Sequence, residues 1–124
     1  MTVWIDSDIL IEVCRGRDAA ILEQWAGFGK SDHVLLVSPV SVTELWAGAR
    51  AKEHAAIENL FGVLICVPID AETGRLAGEY LREYRRSHGT ELGDALIAAG
   101  AATRGATLWT RNRKHYPMKR LALC

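Results

Sequence analysis

The sequence predicts an α/β protein in which a mainly parallel sheet of four to five strands is covered by helices. Short apolar segments recur along the chain, and they are continuous rather than alternating, as at residues 33–38. Such segments are typical of strands buried on both faces. Segments with apolar residues at helical spacing separate them, and this alternation favours parallel connections. At 124 residues, the chain has the length of a single domain, residues 1–124.

Elements of the first half follow from apolar spacing and from residues that cap helices. Ser7 or Asp8 lies where the N-cap of a first helix is expected. Pro39 ends the second strand, and the next helix is predicted to start at Ser41 or Thr43. The predicted elements are a strand at 2–6, helices at 8–15 and 19–29, a strand at 33–38, a third helix to about residue 51 and a fourth at 55–60.

The second half continues the same alternation. Asp70 precedes a long amphipathic helix, and Gly89 ends it. An Ala-rich helix follows, and then a strand and a short apolar tail. The predicted elements are a strand at 63–67, a fifth helix at 71–87, a sixth helix at 92–104, a strand at 107–109 and a fifth strand at 121–123.

Three acidic residues stand next to these predicted elements. Asp6 closes the first strand, Glu44 lies near the start of the third helix, and Asp94 opens the sixth helix. Each could instead be a helix cap or a first-turn acid that the helix dipole favours. A carboxylate beside a buried element needs something to offset its desolvation, so the three together favour a divalent cation. In parallel sheets, such sites form outside the carboxyl ends of the strands.

Charge is balanced overall but unevenly distributed. With 15 basic and 15 acidic residues the formal net charge is zero, which argues neither for nor against nucleic acid. No acid follows Asp94, whereas the same stretch is rich in basic residues. A basic edge of this kind either holds a polyanion near an acidic centre or serves as a solvated tail. The basic residues are Arg104, Arg111, Arg113, Lys114, Lys119 and Arg120.

Several classes of protein are disfavoured. Three widely spaced cysteines without a C-x-x-C pair favour reduced thiols in the cytoplasm over disulfides or zinc. No apolar run approaches the roughly 20 residues of a membrane helix. Asp6 and Asp8 interrupt any N-terminal signal peptide. Neither a Gly-rich phosphate-binding motif nor an ordered Ser, His and Asp arrangement is found. We therefore expect a cytoplasmic protein with no membrane segment.

Four segments spread across the chain match one known family. They are residues 3–11, 38–45, 92–99 and 108–112, the last followed by His115 and Tyr116. In this order and in a chain of this length, they resemble a PIN domain, specifically the toxin half of a VapBC-type toxin–antitoxin pair. The resemblance implies a three-layer α/β/α fold and a metal-dependent endoribonuclease that hydrolyses RNA with water as the nucleophile.

The resemblance also implies residue roles. Asp6, Glu44 and Asp94 would be the core catalytic acids. Asp6 and Asp94 would bind Mg²⁺, or Mn²⁺ in its place, and Glu44 would either bind the metal or orient the attacking water. Asn112 stands where the family often has a fourth acid, so it brings an amide without charge. Residues expected to contact the substrate or support the site are Thr110, Arg111, Arg113 and His115.

Partners follow from the same resemblance. Toxins of the family are inhibited by a small cognate antitoxin of the VapB type, they act on RNA, and they usually form homodimers. Two other functions stay open. One is a PIN-fold nuclease that acts in RNA processing. The other is a degenerate PIN module that binds without cutting, which Asn112 keeps open.

Overall fold

The protein is described by a computed structural model that covers all 124 residues. Its sheet has four strands, and all of them run parallel. The strands are β1 (Thr2–Ile5), β2 (Val34–Val37), β3 (Ile65–Cys66) and β4 (Thr107–Trp109). They lie in the order β3-β2-β1-β4, which places the first and last strands side by side. The carboxyl ends of β1 and β4 therefore meet at one edge of the sheet.

Six helices connect the strands. They are α1 (Ser7–Arg15), α2 (Ala19–Gly29), α3 (Pro39–Ala47), α4 (His54–Gly62), α5 (Ala71–His88) and α6 (Leu92–Thr103). Short 3-10 turns at Ala51–Glu53 and Arg113–His115 complete the chain. None of the helices combines the length and the apolar character that a membrane crossing would need.

Helix α3 begins two residues before the earlier of its two predicted starts. Ser38 is its N-cap, and the Ser38 hydroxyl accepts a hydrogen bond from the backbone N–H of Val40. Pro39 occupies the first turn, where its missing N–H leaves no helical hydrogen bond unmade. The prediction that the helix starts at Ser41 or Thr43 was wrong because proline was interpreted only as a strand breaker.

Buried side chains form a core on each face of the sheet. Trp4 points to one face, where it packs with residues of α6 such as Ile97. Val3 and Ile5 point to the other face, which α1 to α4 cover. Long helix α5 packs against α6 on the first face. Two helical layers thus enclose the parallel sheet, and the predicted three-layer α/β/α class is confirmed.

A glycine in α6 allows the sheet and the helix to approach closely. A Cβ atom at Gly100 would lie 2.6 Å from the indole ring of Trp4, well inside van der Waals contact. The absence of a side chain therefore fixes how near α6 lies to β1.

The predicted fifth strand is reduced to a single bridge. Leu123 pairs with Leu108 of β4 in the parallel sense, and two backbone hydrogen bonds of 2.8 and 2.9 Å join this tail to Leu108. The tail thus lies along the outer edge of β4 without becoming a regular strand.

Candidate active site

Asp6 and Thr110 lie side by side at the edge where β1 and β4 end. The N–H of Asp6 donates to the carbonyl oxygen of Trp109 over 3.0 Å, which continues the strand pairing by one step. The Thr110 hydroxyl then donates to Oδ2 of Asp6 over 2.7 Å. The other oxygen, Oδ1, accepts the N–H of Ser7, so Asp6 is also the N-cap of α1. Both oxygens keep acceptor capacity beyond these bonds.

Burial gives the Asp6 carboxyl an unusual proton affinity. Only 6% of Asp6 is exposed. Desolvation and the nearby charge of Asp8 raise the pKa of Asp6 to about 6, although the hydrogen bond from Thr110 acts in the opposite direction. Burial also raises the pKa of Asp8, whose Oδ1 is buried without a hydrogen-bond donor. The Asp6 carboxyl is thus desolvated and one Asp8 oxygen lacks a donor, which is a condition that a cation would relieve.

Glu44 is joined to this pair through serine hydroxyls. The hydroxyl of Ser7 donates to Oε1 of Glu44 over 2.7 Å. Ser7 gives its only hydroxyl proton to Glu44. Ser41 is therefore the donor in the 2.8 Å contact between Ser41 Oγ and Ser7 Oγ. Both serines are buried, whereas Glu44 is exposed. Glu44 is therefore held by Ser7, the residue that follows Asp6 in the chain, and is open to solvent.

Asp94 lies in the first turn of α6 and is held from several sides. Its Oδ2 accepts the N–H of Glu91 over 2.9 Å and lies 2.9 Å from Nδ1 of His115. Its Oδ1 lies 3.4 Å from the hydroxyl of Tyr116. Tyr116, 22 positions later in the chain, thus lies next to Asp94, the third predicted acid.

Tyr116 is a buried residue near the two predicted metal-binding aspartates. It is only 2% exposed. Its hydroxyl lies 3.4 Å from Oδ1 of Asp94. Burial, followed by the charges of Asp6 and Asp94, raises the pKa of the Tyr116 hydroxyl, so it stays protonated at neutral pH. The charges of both predicted metal-binding aspartates thus act on this buried hydroxyl.

Sequence reasoning did not give Tyr116, Ser7 or Ser41 a role in the site. Tyr116 belongs to the last matched segment, but its aromatic ring packs in the core, and nothing in the sequence shows where its hydroxyl points. The two serines precede or begin helices, so each has the local pattern of a cap. Their contact is made only when α1 and α3 pack together.

The residues that follow Thr110 are placed in different ways. The N–H of Asn112 donates to Thr110 Oγ1 over 3.0 Å, and its side-chain nitrogen lies 3.0 Å from Nδ1 of His115. Arg111 turns toward α1 and α2, where its guanidinium lies 3.5 Å from Glu12 and 3.6 Å from Asp18. Arg113 is exposed and makes no ion pair, so it is free to meet a phosphate.

The donor set fits a cation that keeps much of its own water. No three His, Cys, Asp or Glu side chains are placed to hold a metal ion as a complete set. Mg²⁺ does not need such a cage, because proteins typically hold it through one or two carboxylates plus waters and substrate phosphate. Asp6 and Asp94 provide two carboxylates that are linked through Thr110, Asn112 and His115, and Asp8 adds an oxygen without a donor. These residues would hold the ion, with Glu44 at the solvent side.

Comparison with known proteins identifies the family of the chain. The sequence matches the PIN domain family over residues 3–122, so the chain belongs to that family. It is similar to Ribonuclease VapC10 of Mycobacterium tuberculosis H37Rv, with 38% identity over 117 residues, 94% of this chain and 86% of the relative. Ribonuclease VapC19 of the same strain is 35% identical over 117 residues, which are 92% and 91% of the two chains.

Solved structures share the fold at lower sequence identity. VapBC2 from Rickettsia felis, bound to a DNA fragment from its promoter, superposes with a TM-score of 0.83 over 100% of this chain and 98% of that chain, at 20% identity. The sarcin-ricin loop cleaving toxin VapC20 of Mycobacterium tuberculosis has a TM-score of 0.66 over 85% of each chain, at 21% identity. The predicted resemblance to VapC-type PIN domains is confirmed.

Proposed function

We propose that this protein is the ribonuclease toxin of a VapBC-type toxin–antitoxin pair and that it hydrolyses RNA with the help of Mg²⁺ or Mn²⁺. Membership of the PIN family and the ribonuclease names of its relatives support the class of activity. The observation that carries the proposal is the series of contacts at the carboxyl ends of β1 and β4 that runs from Asp6 through Thr110, Asn112 and His115 to Asp94. Asp6 follows the first strand and Asp94 lies in the sixth helix, so these contacts form only on folding.

Each residue has a separate task in this proposal. Asp6 and Asp94 bind the ion through oxygen lone pairs that their protein hydrogen bonds leave free. When bound, Mg²⁺ would lower the pKa of its water and offset the negative charge of the phosphate. Glu44, exposed and oriented by Ser7, aligns the water that attacks phosphorus in line. Arg113, which lies in the C-terminal stretch without acidic residues, holds the substrate backbone.

A cognate antitoxin of the VapB type is the proposed partner. The relatives with solved structures include VapBC complexes, such as those of Rickettsia felis and Salmonella typhimurium. The chain offers a shallow apolar groove between α1, α2 and α4. Helix α1, which Asp6 caps, forms one of its walls. Its lining includes Val13, Trp25, Leu60 and Val63. A homodimer stays a prediction.

The proposal is tested by cleavage of RNA in the presence and absence of metal. Purified protein should cut total cellular RNA or a panel of structured RNAs in Mg²⁺ or Mn²⁺, lose that activity in EDTA, and regain it on addition of metal. Asp94→Asn should abolish cleavage because it removes a metal-binding charge while keeping the size of the side chain. Glu23→Gln, at an exposed acid of α2, is the matched control and should cut normally.

Two results would contradict the proposal. Undiminished cleavage by clean protein in EDTA would exclude the metal mechanism. Absence of cleavage, combined with growth that is unaffected when the protein is expressed without an antitoxin, would instead favour a PIN module that binds without cutting. Mapping the ends of the cleaved RNA then identifies the substrate.

A further inference from the structure

The two oxygens of Asp94 have different surroundings. Oδ2 accepts the N–H of Glu91 over 2.9 Å and lies 2.9 Å from Nδ1 of His115. Oδ1 has only the Tyr116 hydroxyl at 3.4 Å, which is a long contact for an O–H donor. Oδ2 therefore accepts the Glu91 N–H and lies within hydrogen-bond distance of His115 Nδ1, whereas Oδ1 has a single long contact.

The ring of His115 is fixed in the orientation that makes this contact. Its backbone carbonyl accepts the hydroxyl of Thr90 over 2.9 Å, and Thr90 is 1% exposed. The opposite ring nitrogen, Nε2, lies against Gly89, where a Cβ would be 3.6 Å away. Nδ1 thus points toward Asp94 and Nε2 points away from it, toward the turn between α5 and α6.

We propose that His115 is a positioning residue for Asp94. Its Nδ1–H and the N–H of Glu91 together hold Oδ2, so that Oδ1 alone is presented to the ion shared with Asp6. The inference rests on the proposed metal-dependent function and adds to it an assignment of which oxygen binds. Carboxylates that bind metals depend on such outer hydrogen bonds for their orientation, and loss of one typically lowers metal affinity or activity by about 10- to 100-fold.

The role proposed for His115 requires a particular orientation of the Asn112 amide. A nitrogen that donates its proton to Asp94 has no lone pair left for the side-chain nitrogen of Asn112, 3.0 Å away. The amide is satisfied only when its oxygen faces His115 as a second acceptor, and its NH2 group then points away from the ring. Asn112 accordingly supports His115, and it has a donor left for substrate.

The test compares three substitutions of His115 by their affinity for Mn²⁺, measured by isothermal titration calorimetry. His115→Asn places an amide N–H near the position of Nδ1, whereas His115→Gln places one near Nε2. If the Nδ1 contact orients Asp94, His115→Ala and His115→Gln should both bind Mn²⁺ about 10-fold more weakly or worse. His115→Asn should retain most of the wild-type affinity.

Two controls keep the outcomes distinct. Thermal denaturation in EDTA shows whether each variant is folded, and affinities are compared only among folded variants. Asp94→Asn sets the affinity expected when the ligand itself is lost. Should His115→Gln bind like wild type while His115→Asn fails, His115 would act through Nε2 and the inference would be wrong.

The same titrations separate this inference from the proposed function. Equal affinity for wild type and all three His115 variants, with a loss in Asp94→Asn, overturns only the role of His115. Wild-type protein that binds no Mn²⁺, or that binds it no better than Asp94→Asn, overturns the metal site and the inference together.

Discussion

The hydroxyl of Thr110 donates to Oδ2 of Asp6 over 2.7 Å, and the two residues are 104 positions apart in the chain. The contact exists because β1 and β4 are neighbours in register, with Ile5 opposite Trp109. One residue beyond each strand end, the chain places a donor next to a buried carboxylate. The geometry of the candidate site therefore depends directly on the pairing of the first and last strands.

Removing this donor should destabilise the protein. Thr110→Val keeps the shape of the side chain but leaves Asp6 Oδ2 and the N–H of Asn112 without their partner. We expect a loss of about 1–3 kcal/mol in the free energy of unfolding, measured by urea denaturation at pH 7.5. Thr110→Ser retains the hydroxyl and serves as the control. Equal stability of the valine and serine variants would show that the hydrogen bond contributes nothing.

The Asp6 carboxyl should make the metal-free protein less stable as pH rises. Its pKa is about 6 in the folded state, above the ordinary value of 3.8, so the folded state binds a proton that the unfolded state has already released. The contribution of Asp6 to stability is therefore greatest below about pH 4, is lost as pH rises through 6, and amounts to up to about 3 kcal/mol.

Asp6→Asn is expected to remove much of this pH dependence. In EDTA, the variant should be more stable than wild type at pH 7.5, and the difference should shrink toward pH 4.5, as measured by urea denaturation at both pH values. Asp32→Asn, at an exposed acid in the loop before β2, controls for the general loss of a charge. A difference that stays constant with pH would contradict the raised pKa of Asp6.

Restoring an acid at position 112 should strengthen metal binding. Asn112→Asp adds a negative charge close to His115 and Asp94 without changing the size of the side chain. Because affinity for Mg²⁺ and Mn²⁺ rises with the charge of the ligand set, we expect several-fold tighter binding by calorimetry at fixed ionic strength. Asn59→Asp, on the exposed side of α4, is the matched control. An equal gain in both variants would indicate a general charge effect only.

The close contact between Gly100 and Trp4 gives a test of the fold itself. Gly100→Ala places a methyl group 2.6 Å from the indole ring, so α6 or the ring must shift, at a cost of about 1–3 kcal/mol or more. Gly78→Ala, in α5, meets no atom within 4 Å and should stabilise the protein by about 0.5–1 kcal/mol. Melting temperatures that move in the same direction for both variants would argue against this packing.

Much of the architecture could be predicted because its signals are local. Continuous apolar segments identified β1 and β4, and apolar spacing gave α2 its observed limits, residues 19–29. The start of α3 was missed because Ser38 and Pro39 fit both the end of a strand and the start of a helix. The tail at 121–123 has strand-like composition but forms only one bridge, at the free side of β4.

By itself, the sequence determined the order of strands and helices, the family, and the identity of Asp6, Glu44 and Asp94 as the acids to examine. These depend on residue type and on spacing along the chain. Only the tertiary structure decided that the buried Tyr116 hydroxyl lies 3.4 Å from Asp94, because contacts between distant segments depend on register and on how helices pack. A hydroxyl's direction is set by that packing, and a buried tyrosine has the same pattern in the sequence whichever way it points.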